Sequence, residues 1–212
     1  MGAIFSYTLA AGLVLLATYI IYKWLLSSEN QPRFNRLVLL SLYTASFAAP
    51  ALSLGSRSLP SPGIAIEIDG LGEATVTEAA SSGIPVASVI LAVYLAGCAI
   101  VLLWTAATAI RLASIVRRGR HIHKDGYTLV LLPESGIAPF SWGRFMVMSE
   151  ADHGDAAAMI ECHERAHISA RHFLDLLLGQ AVCILLWYNP ASWLMLAELK
   201  AVHEYEADER VL

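Results

Sequence analysis

The sequence predicts a mainly α-helical integral membrane protein, with three transmembrane helices followed by a cytoplasmic helical domain that contains a small β element. Composition is the first reason: hydrophobic residues make up 57% of the 212 residues and charged residues only 15%. A soluble domain has about 25% charged residues. The second reason is three long stretches without an ionisable side chain, since about 20 mainly apolar residues cross a bilayer. The net charge of −4 gives no basic face for direct binding of nucleic acid.

The apolar stretches define a predicted membrane domain of residues 1–111, with a loop at 57–83 between the second and third spans. Nothing basic precedes Lys23, so a retained first span is favoured over a cleaved signal peptide. The spans are expected at about 3–26, 37–56 and 84–110.

Basic residues set the predicted orientation. They follow the first and third spans, whereas the loop at 57–83 carries Arg57 among several acids. Cytoplasmic loops are enriched in Lys and Arg, so we expect a multi-pass protein of the inner (cytoplasmic) membrane with its N-terminus outside. The chain after Arg111 is then cytoplasmic, and its basic cluster at 117–124 can contact membrane lipid. The flanking basic residues are Lys23, Arg33, Arg36, Arg111, Arg117, Arg118, Arg120 and Lys124.

The β element is predicted from two short β-prone runs, Tyr127–Leu132 and 145–148, which are separated by proline and glycine residues. Asp152 or Asp155 is expected to cap the helix that begins at Ala156. The cysteines do not indicate a disulfide framework, because their number is odd and two lie in apolar segments. We expect all three to be small apolar residues: Cys98, Cys162 and Cys183.

The helix after the β element carries the motif His-Glu-x-x-His at residues 163–167. Residues four apart share a helix face, so His163 and His167 are candidate ligands of one Zn²⁺ ion. Glu164 then lies where a general base is needed to activate water for hydrolysis. A helix with two surface histidines is the simpler alternative, but this charge-poor context argues against it. A structural zinc site in a non-catalytic signalling or assembly protein is the other alternative.

A catalytic zinc site needs a third protein ligand, and the acidic cluster near the C-terminus offers it. Glu204 and Asp208 are four residues apart and share a helix face, which suits one zinc ligand and one carboxylate that orients an imidazole; Glu204 is favoured as the ligand, although the choice among the acids stays open. Glu206 points about 200° away from Glu204 around the helix. The apolar segment between the motifs must return to the metal rather than cross the membrane once. We therefore predict a helical hairpin at 171–207, broken near Pro190, within a cytoplasmic domain of residues 112–212.

Three segments resemble the BlaR/MecR family of membrane metallopeptidases, the antirepressor and β-lactam-sensor group with gluzincin-like sites. They are HERAHISARHFLDLL at 163–177, WYNPASWLMLAELKAVHEYEADERVL at 187–212, and Pro-Phe-Ser within 138–142. The resemblance implies cytoplasmic proteolysis coupled to an outside signal, with a DNA-binding repressor as substrate or downstream target. It also implies that Glu204, the first acid of a Glu-x-x-Ala-Asp pattern, is a zinc ligand.

Members of this family usually continue beyond the residue corresponding to Leu212. The sequence is therefore either a fragment of a longer protein or a minimal member of the family. No penicillin-binding Ser-x-x-Lys domain is present in the sequence, and β-lactam sensing is therefore not expected. The sequence as a whole predicts a membrane-embedded zinc endopeptidase for a cytoplasmic protein bound as an extended strand near residues 127–148. A homodimer is left open.

Overall fold

The structure, a computed structural model, describes residues 2–26, 31–55, 86–134, 136–154 and 157–212. The predicted outer loop at 57–83 and the candidate cap Asp155 lie outside these ranges. Within them the chain is mainly helical with one small sheet, as the sequence predicted. The elements in order are α1 (Gly2–Leu25), α2 (Pro32–Gly55), α3 (Val86–Arg118), β1 (Arg120–Lys124), β2 (Tyr127–Leu132), β3 (Phe140–Trp142), β4 (Phe145–Ser149), α4 (Ala157–Ala170), α5 (His172–Leu185) and α6 (Pro190–Asp208).

Two of the described helices are long and apolar enough to cross a membrane: α1 over Phe5–Leu25 and α3 over Val86–Arg118. A third candidate is the pair α4 and α5, whose axes are bent by 61° at their junction. Helix α2 occupies the place of the predicted second span, and its crossing stays a prediction. Helices α1 and α2 run side by side, and the Tyr7 hydroxyl donates to the Phe47 carbonyl at 2.6 Å.

The two predicted strands are confirmed as β2 and β4, which pair in parallel with Leu129 opposite Met146. Two edge strands were not predicted: β1 pairs antiparallel with β2, and β3 pairs antiparallel with β4, giving the order β1-β2-β4-β3. Every residue of β2 is buried. Apart from Thr128 the strand is apolar and has no alternating polar face, as is typical of a central strand covered on both sides.

Each face of the sheet packs against a different helix. Leu129 and Met148 form a cluster with Ile160 and Ile168 of α4. Val130 and Val147, on the other face, pack against Val116 near the end of α3. The sheet therefore fixes α4 relative to the helix that enters the predicted membrane domain.

A second hydrophobic core joins helices of the predicted membrane domain (1–111) with helices of the predicted cytoplasmic domain (112–212). Burial is nearly complete for these side chains, which come from α1, α2, α5 and α6: Leu15, Tyr22, Leu39, Tyr43, Val182, Leu186, Met195, Leu199 and Val202. The α5–α6 pair is thus packed among the first two helices and shares their hydrophobic core.

The chain breaks between α5 and α6 at Asn189 and Pro190. The Asn189 side chain accepts from the Ala191 amide at 3.0 Å, and Pro190 occupies the first turn, where a missing N–H costs nothing. The Asn189 amide also donates to the carbonyl of Gly12, in the middle of α1, at 2.8 Å. On the other side the Tyr94 hydroxyl of α3 donates to the Leu185 carbonyl at 3.0 Å. The turn therefore lies level with the middle of α1.

The cap predicted at Asp152 or Asp155 is not tested, because Asp155 and Ala156 lie outside the described residues; the Asp152 carboxylate accepts from the Ser149 hydroxyl at 2.6 Å, in a turn that closes the end of β4. The prediction for Cys162 was wrong, because this residue is exposed on α4 and its thiol donates to the Arg210 carbonyl at 3.5 Å. Cys183 is buried, as expected, and Cys98 is half-buried.

Candidate metal centre

Helices α4 and α6 bring three predicted ligands together. The Nε2 atoms of His163 and His167 lie 3.2 Å apart. One oxygen of Glu204 lies 3.4 Å from His163 Nε2, and the other lies 3.7 Å from His167 Nε2. These three residues form the group of potential metal-binding side chains found within the described residues, with donor atoms within 4.8 Å of one another.

The spacing of the donors can be compared with that of a tetrahedral ion. Zinc–ligand distances of about 2.0–2.1 Å place neighbouring donors about 3.3 Å apart. The separations of 3.2, 3.4 and 3.7 Å are close to this value. The 3.4 and 3.7 Å separations involve different oxygens of Glu204, so the spacing describes two imidazole nitrogens and a carboxylate group that faces both of them.

Asp208 lies on the outer side of His163. Its Oδ1 is 3.0 Å from His163 Nδ1, the ring nitrogen that does not face the other two donors. A carboxylate in this position accepts from Nδ1–H and leaves Nε2 unprotonated, as metal binding requires. Glu204 and Asp208 are both largely exposed, with 61% and 64% of their side-chain surface accessible. The acids of α6 thus close the site on its solvent side.

Glu164 is buried beside the donors, with 8% of its surface exposed. Together with His163 it lines a groove of about 310 Å³, whose walls also include Pro139, Met159 and Asp208. A second groove, of about 230 Å³, lies on the other side of the donors and is lined by Ser141, Trp142, His167 and Glu204 among others. The candidate centre is therefore flanked by a groove on each side.

Sequence reasoning missed a buried layer of side chains beneath His167, formed by His172, Asp175, His203 and Glu206. The Nδ1 atom of His167 lies 2.8 Å from Nδ1 of His172, the first residue of α5. Nε2 of His172 lies 3.2 Å from an oxygen of Glu206. The His172 ring is stacked on His203 at 4.0 Å with an interplanar angle of 7°, and His203 Nε2 lies 3.0 Å from Asp175. Asp175, an acid within the apolar run that begins at Phe173, was the sequence feature that could have indicated this layer.

The turn between α4 and α5 explains how His172 reaches His167. Arg171 has φ of 57° and ψ of 36°, a left-handed conformation that non-glycine residues seldom adopt. One left-handed residue redirects the chain sharply, so that α5 starts underneath the last turn of α4. The ring of His172 is 2% exposed and lies against the inner side of His167.

Arg36, near the start of α2, completes this layer. Its Nε lies 2.7 Å from Asp175, one terminal nitrogen 3.3 Å from Glu206, and the other donates to the Ala170 carbonyl at 2.7 Å. The sequence had indicated Arg36 only as a basic residue flanking a span, which helps to set the predicted orientation. In the structure Arg36 also forms internal ion pairs with Asp175 and Glu206.

The positive charge of Arg36 affects the pKa of two buried side chains of this layer. Burial alone would raise the pKa of Glu206, but the hydrogen bond from His172 and the positive charge of Arg36 outweigh it, so the pKa is lowered. Burial lowers the pKa of His203 to about 4, and the nearby Arg36 charge acts in the same direction. At neutral pH the layer thus holds ionised Glu206 beside neutral His203.

Comparison of the chain with protein-family models and with curated proteins finds no match.

Proposed function

We propose that this protein is a membrane-embedded, zinc-dependent endopeptidase that cleaves a cytoplasmic protein. The observation that carries the proposal is the convergence of His163, His167 and Glu204, whose donor atoms lie within 4.8 Å of one another, with Glu164 in the adjoining groove. Two residues come from one helix and the third is 37 residues further along the chain, so sequence proximity alone does not account for the grouping.

The donor set favours zinc over other common ions. Imidazole nitrogen and carboxylate oxygen suit Zn²⁺, whereas Mg²⁺ and Ca²⁺ prefer six or more oxygen ligands. Three protein donors beside an open groove are typical of a catalytic site, because structural zinc sites use four protein ligands. A bound zinc ion would supply Lewis acidity toward the scissile carbonyl and lower the pKa of water.

The protein's own residues would carry the proton transfers. Glu164 is the general base that takes a proton from the attacking water and then delivers it to the leaving amine. Its burial keeps the carboxylate beside the donors and out of bulk solvent. Asp208 holds the His163 ring in the tautomer that a metal requires.

The substrate would bind as an extended strand along β3. This strand is the last of the described sheet, and its neighbour on one side is β4. Pro139, just before β3, lines one groove, while Ser141 and Trp142 line the other. A peptide paired with the outer edge of β3 would pass from one groove to the other across the donors, as in other cases of strand addition.

The cellular setting is also part of the proposal. Helices α1 and α3 are candidate spans, and basic residues concentrate at the ends that connect to the candidate centre. With those ends in the cytoplasm, the substrate is a cytoplasmic protein, and a DNA-binding repressor fits the resemblance to BlaR/MecR antirepressors. Cleavage would then transmit a signal across the inner membrane.

The test is a proteomic comparison of cells that carry the wild type, Glu164→Gln or Glu209→Gln. Glu209→Gln is the matched control, because Glu209 is exposed at the end of α6 and does not line the groove. We expect a cleavage product with the wild type and the control, and none with Glu164→Gln, although this variant retains zinc. The same product in all three would exclude Glu164 as the base and favour a structural zinc site.

A further inference from the structure

We infer that His172 and Arg36 are positioning residues for the metal centre, and that Arg36 connects helix α2 to the ligand His167. The inference rests on the proposed function, since it concerns how the proposed ligand is held. It assigns a role to a buried layer that the proteolytic mechanism does not use.

The directions of the hydrogen bonds follow from the geometry around His167. An imidazole that binds a metal through Nε2 carries its proton on Nδ1, and Nδ1 of His172, 2.8 Å away, is placed to accept that proton. Nε2 of His172 then donates to the Glu206 carboxylate at 3.2 Å, on the oxygen that Arg36 also reaches at 3.3 Å. The Nε2 atom of His167 is the one facing His163 and Glu204.

This order of protons is the one that metal binding requires. A metal-ligating histidine commonly donates its other ring N–H to a partner that fixes the tautomer and the ring orientation. His163 has Asp208 for this purpose, and His167 has His172. The two ligands are thus supported from opposite sides, one by an exposed carboxylate and the other by a buried imidazole.

The orientation of the His172 ring is itself fixed from two sides. Its face is stacked on His203 at 4.0 Å, and Asp175 holds His203 in turn at 3.0 Å. Its edge is held by Glu206. A rotation of His172 would therefore break the stacking as well as two hydrogen bonds, so the ring has little freedom to follow a misplaced His167.

Arg36 holds the acids of this layer in place. A planar guanidinium can donate in several fixed directions at once, and here it reaches Asp175, Glu206 and the last turn of α4. These partners lie on three different helices, whereas Arg36 belongs to α2. A lysine could keep the charge, but a single ammonium cannot reproduce the three directions. The geometry of the proposed centre thus depends on the position of a helix from the predicted membrane domain.

The experiment measures zinc affinity by chelator competition in the full chain, purified in detergent. The variants are His172→Phe, Arg36→Gln and Arg36→Lys, and the absorption spectrum of the Co²⁺-loaded protein reports ligand geometry for each. Lys23→Gln is the matched control, because Lys23 joins α1 to Glu198 of α6 through an ion pair that does not touch the layer. Melting of the metal-free proteins separates loss of fold from loss of positioning.

We expect His172→Phe and Arg36→Gln to weaken zinc binding by about 10–100-fold and to change the Co²⁺ spectrum, as for other partners of metal-ligating histidines. Arg36→Lys should restore part of the affinity, and Lys23→Gln should match the wild type. Folded His172→Phe and Arg36→Lys proteins with wild-type affinity and spectrum would overturn the inference. A wild type that binds no zinc would instead refute the proposed function.

Discussion

Glu204 and Glu206 are two residues apart on α6, and replacing each with alanine should damage the protein in different ways. Glu204 contributes an exposed carboxylate to the group of three donors. Glu206 is buried, with 4% of its side-chain surface accessible, and binds His172, Arg36 and Arg210. Glu204→Ala should therefore weaken metal binding, while Glu206→Ala should weaken the fold.

The magnitudes follow from burial and from the partners left behind. Removing an exposed side chain costs within about 0.5 kcal/mol of folding free energy, so metal-free Glu204→Ala should melt like the wild type. Its zinc affinity should fall by more than about 100-fold, because loss of a ligand exceeds loss of an outer partner. Breaking a buried ion pair by removing one partner costs about 3–5 kcal/mol. Arg210 shares the Glu206 charge from a half-exposed position, so the lower end of that range is expected.

The assay is zinc affinity by chelator competition together with the denaturation midpoint of the metal-free proteins, measured in the same detergent. Glu209→Ala is the control for losing a carboxylate from the exposed end of the helix, and it should leave both quantities unchanged. Wild-type zinc affinity in Glu204→Ala would refute the assignment of the third ligand. A metal-free Glu206→Ala that melts like the wild type would refute the reasoning about the buried layer.

The remaining predictions concern the metal, the topology and the helix packing. Removing metal with a chelator should abolish cleavage of the substrate, and stoichiometric Zn²⁺ should restore it; activity that survives chelation would contradict metal dependence. In a background with exposed Cys162 replaced, a cysteine at position 58 should react with an impermeant reagent from outside, whereas one at Ser114 should not; the reverse pattern would place the candidate centre outside. Gly97→Ala should destabilise the protein by about 1–3 kcal/mol, because the new Cβ would lie 2.1 Å from the Trp187 ring. Unchanged denaturation of this variant in detergent would show that α3 and the α5–α6 turn are not closely packed.

The sequence was informative wherever a short-range rule decides the outcome. The strands at Tyr127–Leu132 and 145–148 follow from β-prone runs between turn residues, and the break at Pro190 follows from the steric effect of proline. His163 and His167 share a face because of the helical repeat alone. The helical repeat does not place Glu204 near them. That prediction needed a chemical argument, namely that a zinc ion held by two histidines needs a third protein ligand.

What the sequence did not reveal depends on contacts between distant segments. His172 supports His167 because one left-handed residue, Arg171, turns the chain, and no local pattern predicts that conformation for arginine. Arg36 is separated from Asp175 by 139 residues and from Glu206 by 170. Strand β3 is only three residues long, which is too short for alternation to be recognised. Each case needs the packed structure, because the sequence on its own does not fix which segments meet.

The charge pattern and the packing support the same placement of the candidate centre. Lys23 at the end of α1 pairs with Glu198, and Arg36 at the start of α2 pairs with Glu206, both on α6. The end of α3 packs on the sheet through Val116. The basic ends of three helices therefore lie at the level of the candidate metal ligands, whereas the α5–α6 turn lies level with the middle of α1. The positive-inside rule assigns these basic ends to the cytoplasm. The proposed centre shares the side of the basic ends, so the labelling experiment at positions 58 and 114 also tests on which side of the membrane the centre lies.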